Sequence, residues 1–531
     1  MITAAVETGI VVSPVALLSP AAALLLGAAL LAALPRLGVF PAIVLRAVAC
    51  LAILLALVGL HRLTDAYAPL VSIPLGDLTM PVVDLGVDQQ SLSWARLLLV
   101  GSLGVVIVLR ASSLGPCLFV LAVASTAFLG SSPATIALAW FLTEIGIVVI
   151  SRERGNGGAD MAPLCLGATA MVVALYAGSL DQASGLGEAS FKPLSWLLLV
   201  LAVGLRLRLW PLRWHADSMP GAMLLFLVAT TTGFLVLSRG SPGSSDNLPP
   251  RWLSALLALS AVVASALSWL RRQKALELSL LAGAALAPLP LLLATLPASP
   301  SPALGPAAAH LVAALLLYAL APIVPLPGRF PAWLGRAVPL LATLTLVPLP
   351  VFPFGRAVLQ VFSLLAAVRP ISALVASVAM ALPVAAMISA ALGEPQHRQV
   401  LRWRDATSVA LAASLLTTLA LGLGLVSTYG AGVGSTPRQS GWAGGSSAVA
   451  VVAVVALSVA DRRGLPLMLG LPHYHLVRAR GGAATPLSGL GSLASGAASV
   501  FETVFRLVEG ETALTWATLV GCAILIIAAG T

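Results

Sequence analysis

The sequence predicts an all-α membrane protein. Of its 531 residues, 59% are hydrophobic and only 9% are charged, and the mean hydropathy is +1.03. Apolar stretches long enough to span a bilayer, which takes about 17–25 residues, recur along the whole chain. A soluble protein of this length could not keep so much apolar surface away from water. We therefore expect about 14–16 transmembrane helices, separated by short loops.

The predicted spans have centres near residues 24, 51, 101, 122, 143, 170, 202, 229, 260, 286, 315, 341, 376, 416, 454 and 521. We group them into N-terminal helices 1–3 (residues 1–112), a first five-helix repeat of spans 4–8 (113–240), a second repeat of spans 9–13 (250–393), C-terminal helices (405–463) and a C-terminal segment (485–531).

Basic residues are concentrated in alternate loops of this layout. One set of loops holds most of the arginines, among them Arg152, Arg154, Arg271 and Arg272, whereas the other set holds few. Because basic loops stay on the cytoplasmic side, we expect a multi-pass protein of the inner (plasma) membrane with both termini outside. The first apolar segment lacks a basic leader, so we interpret it as a retained helix.

The C-terminal segment contains one helix that does not fit the pattern of spans. Val500, Phe501, Val504, Phe505 and Val508 recur at helical spacing, with charged residues elsewhere around the helix. This pattern is typical of a short amphipathic helix. We expect it to lie on the inner face of the membrane before the last span.

The composition also excludes several function classes. The net charge of +10 comes from loop arginines without the aromatic-rich basic faces of nucleic-acid binders, so no nucleic-acid partner is expected. The four cysteines lie in apolar spans and have no CxxC spacing, so no metal site is predicted. No motif indicates a catalytic residue or a cofactor in this chain, and any redox chemistry would belong to other chains.

Glu144 is the most informative single residue, because it lies in the middle of the apolar stretch PATIALAWFLTEIGIVVIS. A charge near the bilayer centre costs about 2.5–3.5 kcal/mol on insertion scales, so such a residue faces a wet cavity or a partner. Arg206 and Arg208, which precede Pro211, are the candidate partners. These residues could move an ion or hold helices together.

Two proline clusters predict broken helices, because proline removes a backbone donor and clashes with the preceding turn. The first cluster lies in residues 206–221 and contains Pro211; the second lies in residues 345–356. They fall in the fourth span of each five-helix group, and interrupted helices at matching places of two repeats typically mark a transport site. The second cluster consists of Pro348, Pro350 and Pro353.

Six stretches of the chain form an ordered set of motifs: LGVDQQSLSWARLLLVGSLGVVIVL, LAWFLTEIGIVVIS, LRLRLWPLRWHAD, RRQKALELSLL, PAAAHLVAALLLYALAP and ATLTLVPLPVFPFGR. They resemble the antiporter-like membrane subunits of respiratory complex I, of multi-subunit cation/proton antiporters and of membrane-bound hydrogenases. The resemblance extends over most of residues 80–430 and depends on the order and spacing of the motifs. It implies fourteen core helices, two inverted five-helix repeats and ion movement along buried charges.

The resemblance transfers the family's functional positions unevenly. It places Glu144 on the fifth-helix glutamate, Arg206 on the seventh-helix lysine and Arg356 on the terminal charge of the twelfth helix. The eighth-helix lysine falls near Thr231, and the eleventh-helix histidine and lysine fall near Ala314 and Leu317. The family's central basic residues are therefore missing. Arginine keeps its proton throughout the accessible pH range, so Arg206 suits an ion pair or an electrostatic gate better than a proton relay.

The sequence leaves three functions open. The chain can be a subunit that takes part in proton or cation translocation, with Glu144, Arg206, Arg208, Thr231 and Arg356 as candidates and hydroxyl groups in place of the missing bases. It can be a purely structural membrane subunit with a degenerate channel. It can also be a stand-alone secondary transporter or the membrane subunit of an inorganic-carbon uptake system. In the first two, its partners are other membrane subunits of a redox-driven complex, the lipid bilayer and protons or cations.

Overall fold

The computed structural model describes fifteen α-helices and two small pairs of strands, together with the turns that join some of them. The described residues are 14–37, 41–63, 66–75, 78–87, 89–130, 133–152, 167, 190–191, 193–207, 219–239, 241–242, 251–270, 275–295, 304–320, 334–349, 351–368, 370–392 and 441–462.

The N-terminal third begins with two apolar helices and a β-hairpin, and three further helices follow. Its elements are α1 (Pro14–Leu37), α2 (Ala42–His61), β1 (Ala66–Leu75), β2 (Leu78–Val87), α3 (Gln89–Val108), a short 3₁₀ turn (Ala111–Ser113), α4 (Leu114–Leu129) and α5 (Pro133–Arg152).

The described residues after Arg152 are again mostly helical, with two short parallel strands, β3 (Ser190–Phe191) and β4 (Ser241–Pro242). The helices are α6 (Pro193–Arg206), α7 (Met219–Arg239), α8 (Arg251–Leu270), α9 (Ala275–Leu286), α10 (Pro288–Thr295), α11 (Leu304–Leu320), α12 (Leu334–Leu344), α13 (Pro353–Val368), α14 (Pro370–Leu392) and α15 (Gly441–Arg462).

Helices α3, α7 and α11 pack together at the centre of the molecule. Residues 223–237 of α7 and 305–320 of α11 are buried on every side. Gly101 of α3 allows the close approach, because a Cβ atom there would lie 3.0 Å from Leu227 of α7 and 3.1 Å from Leu316 of α11. Helix α6 packs against α7 of this core, whereas α5 packs against α4 and β2.

The outer helices present apolar side chains to the outside. Leu26 of α1 is 66% exposed, Leu55 of α2 is 54% exposed and Val452 of α15 is 65% exposed. A helix that is apolar all round, including its outer face, is typical of a membrane span. Within the described residues, four helical segments have both the length and the composition to cross a bilayer: Leu17–Pro35, Ala42–His61, Ser91–Val108 and Ala111–Leu129. The protein is thus a helical membrane protein, as its composition predicts.

One part of the fold differs from the all-α prediction. The sequence predicts a loop between the second and third spans, whereas the structure has an antiparallel hairpin of β1 and β2 there. The two strands are separated by Gly76-Asp77, a pair typical of two-residue hairpin connections, so a local signal was present in the sequence. A bridge between Leu85 and Gly130 ties β2 to the turn that follows α4.

The helix interruptions follow the prolines. Helix α12 ends at Leu344 and α13 begins at Pro353, so the chain is irregular across most of the second predicted break. Helix α13 was not among the predicted spans. A further break that the sequence analysis did not predict separates α9 from α10 at Ala287, directly before Pro288. Proline at these positions removes backbone donors that a continuous helix would need.

Several predictions fall on residues outside the described ranges. These are most of the first proline cluster with Pro211, the spans centred near 170, 416 and 521, and the amphipathic helix. The inverted relationship of the two five-helix repeats and the predicted domain boundaries stay predictions.

Candidate functional site

Glu144 lies in the second half of helix α5 and is 5% exposed. The helix forms because residues 133–152 are apolar and contain no proline after the first position, where proline is tolerated. The neighbouring Thr143 hydroxyl donates to the carbonyl oxygen of Ala139 at 2.6 Å, so this polar neighbour is satisfied within its own helix. Glu144 is therefore the charged group that α5 carries into the protein interior.

Arg206 is the last residue of helix α6 and is 1% exposed. Its position at a helix C-terminus is favourable for a cation, because the unpaired carbonyl groups there carry partial negative charge. The amide of Leu207 still donates to the carbonyl of Val203 at 2.9 Å, so the last turn is intact up to the arginine. The helix end thus holds the guanidinium in the interior.

The two residues form a buried ion pair. Nε of Arg206 lies 3.1 Å from Oε1 of Glu144. The N–H of Nε is not aligned for a hydrogen bond, and Nη1 and Nη2 of Arg206 donate to none of the described residues. The contact is thus a charge pairing through Nε and not the bidentate, doubly hydrogen-bonded arrangement that gives arginine–carboxylate pairs their strength.

Trp140 also contacts the guanidinium of Arg206. Cζ of Arg206 lies 3.8 Å from the centre of the Trp140 ring, within the range of a cation–π interaction. Trp140 is 1% exposed and precedes Glu144 by four residues. Side chains four apart in a helix lie on the same face, one turn from each other. Helix α5 therefore contributes both contacts to Arg206, and the same spacing in the sequence could have identified Trp140.

Thr231 lies in the buried middle of α7 between Thr230 and Thr232. The hydroxyls of Thr231 and Thr232 each donate at 2.7 Å to a carbonyl of their own helix, at Leu227 and Val228. Thr230 likewise donates to Phe226. The three hydroxyl protons are therefore engaged within α7, and only the oxygen lone pairs can accept from another donor.

The other predicted site residues lie elsewhere in the fold. Arg356 is exposed near the start of α13, and Pro348 and Pro353 are buried at the α12–α13 break. Ala314 and Leu317 of α11 are buried apolar residues. The structure therefore joins Glu144 with Arg206 alone among the predicted residues that it describes. Arg208, Pro211 and Pro350 lie outside the described ranges.

His310 is a buried polar residue that the sequence analysis did not select. It is 0% exposed in α11, and neither ring nitrogen has a hydrogen-bond partner within the described part of the chain. Its ring stacks on Phe352, with centroids 5.8 Å apart and an interplanar angle of 18°. Since Phe352 immediately precedes α13, His310 contacts the broken segment. Its position near the start of the predicted eleventh helix gave no sign of this burial.

The described residues hold no group of three histidine, cysteine, aspartate or glutamate side chains that could bind a metal ion. The Glu144–Arg206 pair offers electrostatic chemistry: a carboxylate that can take up or release a proton, next to a guanidinium that keeps its charge.

No protein-family model and no curated protein matches the sequence. Solved structures do match its fold. A chain of respiratory complex I from Thermus thermophilus with bound aureothin is 21% identical, with a TM-score of 0.56, over 77% of this chain and 98% of that chain.

Two further complexes contain similar chains. One is the membrane-bound sulfane sulfur reductase, an archaeal respiratory membrane complex, at 16% identity and a TM-score of 0.61, covering 97% of this chain and 99% of that chain. The other is the Mrp complex from Dietzia sp. DQ12-45-1b, at 15% identity and a TM-score of 0.62, covering 94% of this chain and 63% of that chain. The protein thus has the fold of the antiporter-like membrane subunits of these complexes, in agreement with the resemblance of its motifs.

Proposed function

We propose that this protein is an antiporter-like subunit of a complex I-type or related multi-subunit membrane assembly, and that it takes part in proton or cation translocation. The fold supports the place in a multi-subunit complex. The buried Glu144–Arg206 pair, at 3.1 Å, is the observation that supports ion translocation. In this proposal the chain has two inverted five-helix repeats, lies in the inner membrane and exposes its basic loops to the cytoplasm.

In this mechanism Glu144 and Arg206 act as an electrostatic gate. While both residues are charged, each compensates the other in an interior where an unpaired charge costs several kcal/mol. A proton or cation that reaches Glu144 cancels its attraction for Arg206. The guanidinium, which keeps its charge, then has to find another acceptor. Ion arrival is thereby converted into movement of a charged side chain at the end of α6.

The geometry of the pair favours such a movement. Arg206 approaches Glu144 with Nε, and its Nη1 and Nη2 groups donate to no described residue. The guanidinium can therefore gain hydrogen bonds when it moves away from Glu144. An arginine that was already fully hydrogen-bonded to the carboxylate would instead lose hydrogen bonds in such a movement.

A structural role without ion conduction is the second candidate, and two observations on the middle of the protein favour it. The hydroxyl proton of Thr231 is engaged by its own helix. Ala314 and Leu317, where the family resemblance places basic groups, are buried and apolar. Translocation would then require a rearrangement of α7 and α11 that opens a polar route.

The experiment that separates the two functions uses the intact complex, purified through a tag on this chain and reconstituted in vesicles. A potassium diffusion potential drives cation flux, which pH- and sodium-sensitive dyes record. We expect Glu144→Gln to lower the flux at least tenfold while the complex keeps its subunits. Arg110→Gln, which removes an exposed charge between α3 and α4, is the control and should leave the flux unchanged. Equal flux in Glu144→Gln and wild type would contradict the role in translocation and would support the structural role. Purification of the chain without any other subunit would contradict the proposed assembly.

A further inference from the structure

The Trp140 ring faces the guanidinium of the ion pair, and burial of the tryptophan alone does not explain this orientation. The ring face lies 3.8 Å from Cζ of Arg206, yet the indole Nε1–H has no hydrogen-bond partner in the described part of the protein. A buried indole usually pairs its N–H. The orientation of Trp140 thus leaves its N–H unpaired and places the ring over the guanidinium.

The Trp140 ring attracts the charged guanidinium of Arg206, which makes few other favourable contacts with the described residues. Among the described residues, Arg206 has one charged contact, Nε to Glu144, and its two Nη groups donate to none. A cation–π contact is strongest where water is excluded, and both Trp140 and Arg206 are 1% exposed. The face of the ring is therefore a substantial part of what keeps the guanidinium in place.

We propose that Trp140 is a positioning residue that holds Arg206 against Glu144 through the face of its ring, and so sets how readily the pair separates. Because Trp140 and Glu144 are one turn apart on α5, the guanidinium lies between two contacts from a single helix. This inference rests on the proposed function, in which separation of the pair opens the gate.

The proposal also explains why arginine suits this position. A guanidinium is planar and stacks on aromatic faces, whereas a lysine ammonium is a compact, strongly hydrated charge. Arg206→Lys would keep the charge but would lose most of the stacking contact. We expect the charges at positions 144 and 206 to separate more readily in the lysine variant, as they should when the cation–π contact with Trp140 is weakened.

Fluorinated tryptophans at position 140 provide the test, because each added fluorine reduces the negative charge on the ring face with little change of size. The intact complex would carry tryptophan or its mono-, di- or trifluoro form, and two quantities would be measured: the flux described above and the Tm of the purified complex. Trp94 of α3 is the matched control, since it is fully buried, its Nε1–H is also unpaired, and no described cation lies on its ring.

We expect the Tm to fall stepwise with the number of fluorines at position 140, and the flux to rise stepwise by about tenfold in total, the scale of a desolvated cation–π contact. The same series at position 94 should change neither quantity in steps. Trp140→Phe, which keeps a weaker aromatic face, should lie between the wild type and Trp140→Leu in both measurements.

The two readouts distinguish failure of this inference from failure of the proposed function. A Tm that stays the same when Trp140 is fluorinated would overturn the inference, whether or not the flux changes. A stepwise Tm with unchanged flux, in a complex whose flux does depend on Glu144, would also overturn it, because the ring would then hold Arg206 without setting the gate. A stepwise Tm in a complex whose flux is the same in Glu144→Gln would uphold the ring contact and reject the proposed function.

Discussion

Arg206, at the C-terminal end of α6, places Nε 3.1 Å from Oε1 of Glu144 in the middle of α5, and both side chains are buried. This contact joins two helices that are separated by 62 positions in the sequence through a pair of opposite charges in an apolar interior. A single unpaired charge is rare in such surroundings, because its burial is costly. Each residue therefore reduces the cost of burying the charge of the other.

The first prediction concerns the dependence of each charge on the other. Arg206→Met alone should destabilise the complex by about 3–5 kcal/mol, because it leaves Glu144 buried without its partner. The double variant Glu144→Leu/Arg206→Met should recover most of that loss, since an apolar pair of similar volume carries no desolvation penalty. The Tm values of the purified complexes would test this. A double variant less stable than Arg206→Met would show that the two residues do not compensate each other.

The second prediction concerns the threonines of α7. The Thr231 hydroxyl donates to the Leu227 carbonyl, so its proton is not available to a passing ion. Thr231→Val keeps the shape and should retain more than half of the wild-type flux, with assembly unchanged. A tenfold loss in Thr231→Val would instead indicate that the hydroxyls replace the missing basic groups as relay sites.

The third prediction concerns the broken segment before α13. A Cβ atom at Gly355 would collide with the carbonyl oxygen of Leu349, and it would lie 2.7 Å from the Leu349 nitrogen. Because backbone atoms cannot move aside cheaply, Gly355→Ala should destabilise the fold by about 1–3 kcal/mol.

The matched control for that substitution is Gly115→Ala in α4, where the nearest atoms would be 3.8 Å and 3.9 Å from the new Cβ. Assembly yield and Tm of the two variants can be compared directly. Equal stability of Gly355→Ala and Gly115→Ala would contradict the close contact of the Leu349 backbone with Gly355 of α13.

The fourth prediction concerns His310. Its two ring nitrogens are buried without a hydrogen-bond partner in the described residues, which costs about 1–3 kcal/mol for an unsatisfied polar group. His310→Phe keeps the ring that stacks on Phe352 and removes the polar atoms, so the Tm of the complex should rise. Phe352→Leu, which removes the stacking partner, should lower it. A Tm decrease in His310→Phe would indicate that a histidine nitrogen has a partner in the assembled complex.

The sequence was sufficient for the fold class and for the order of most helices, because apolar composition and span length alone determine them. It was also sufficient to select Glu144 and Arg206, since a charge in an apolar span is conspicuous. The pairing of the two could only be a hypothesis, because contact between residues 62 positions apart depends on how α5 and α6 pack.

The features that the sequence did not predict have local or tertiary causes. The β1–β2 hairpin lies where the span pattern predicts a loop, and the Gly76-Asp77 pair in the sequence is a short signal within that loop. The break at Ala287 lies inside an otherwise uninterrupted apolar span, in which Pro288 and Pro290 are the local signal. The four-residue spacing places Trp140 on the same face of α5 as Glu144. Its contact with Arg206 and the stacking of His310 on Phe352 depend on neighbours in space that the sequence does not show.

The most direct test of the account is the cation flux through vesicles that contain the intact complex with Glu144→Gln, compared with the wild type and with Arg110→Gln. Glutamine keeps the size of the side chain and removes the carboxylate that takes up the proton or cation in the proposed mechanism. The account predicts at least a tenfold lower flux in Glu144→Gln, with unchanged subunit composition and with Arg110→Gln at the wild-type level. A flux in Glu144→Gln equal to that of the wild type would contradict it.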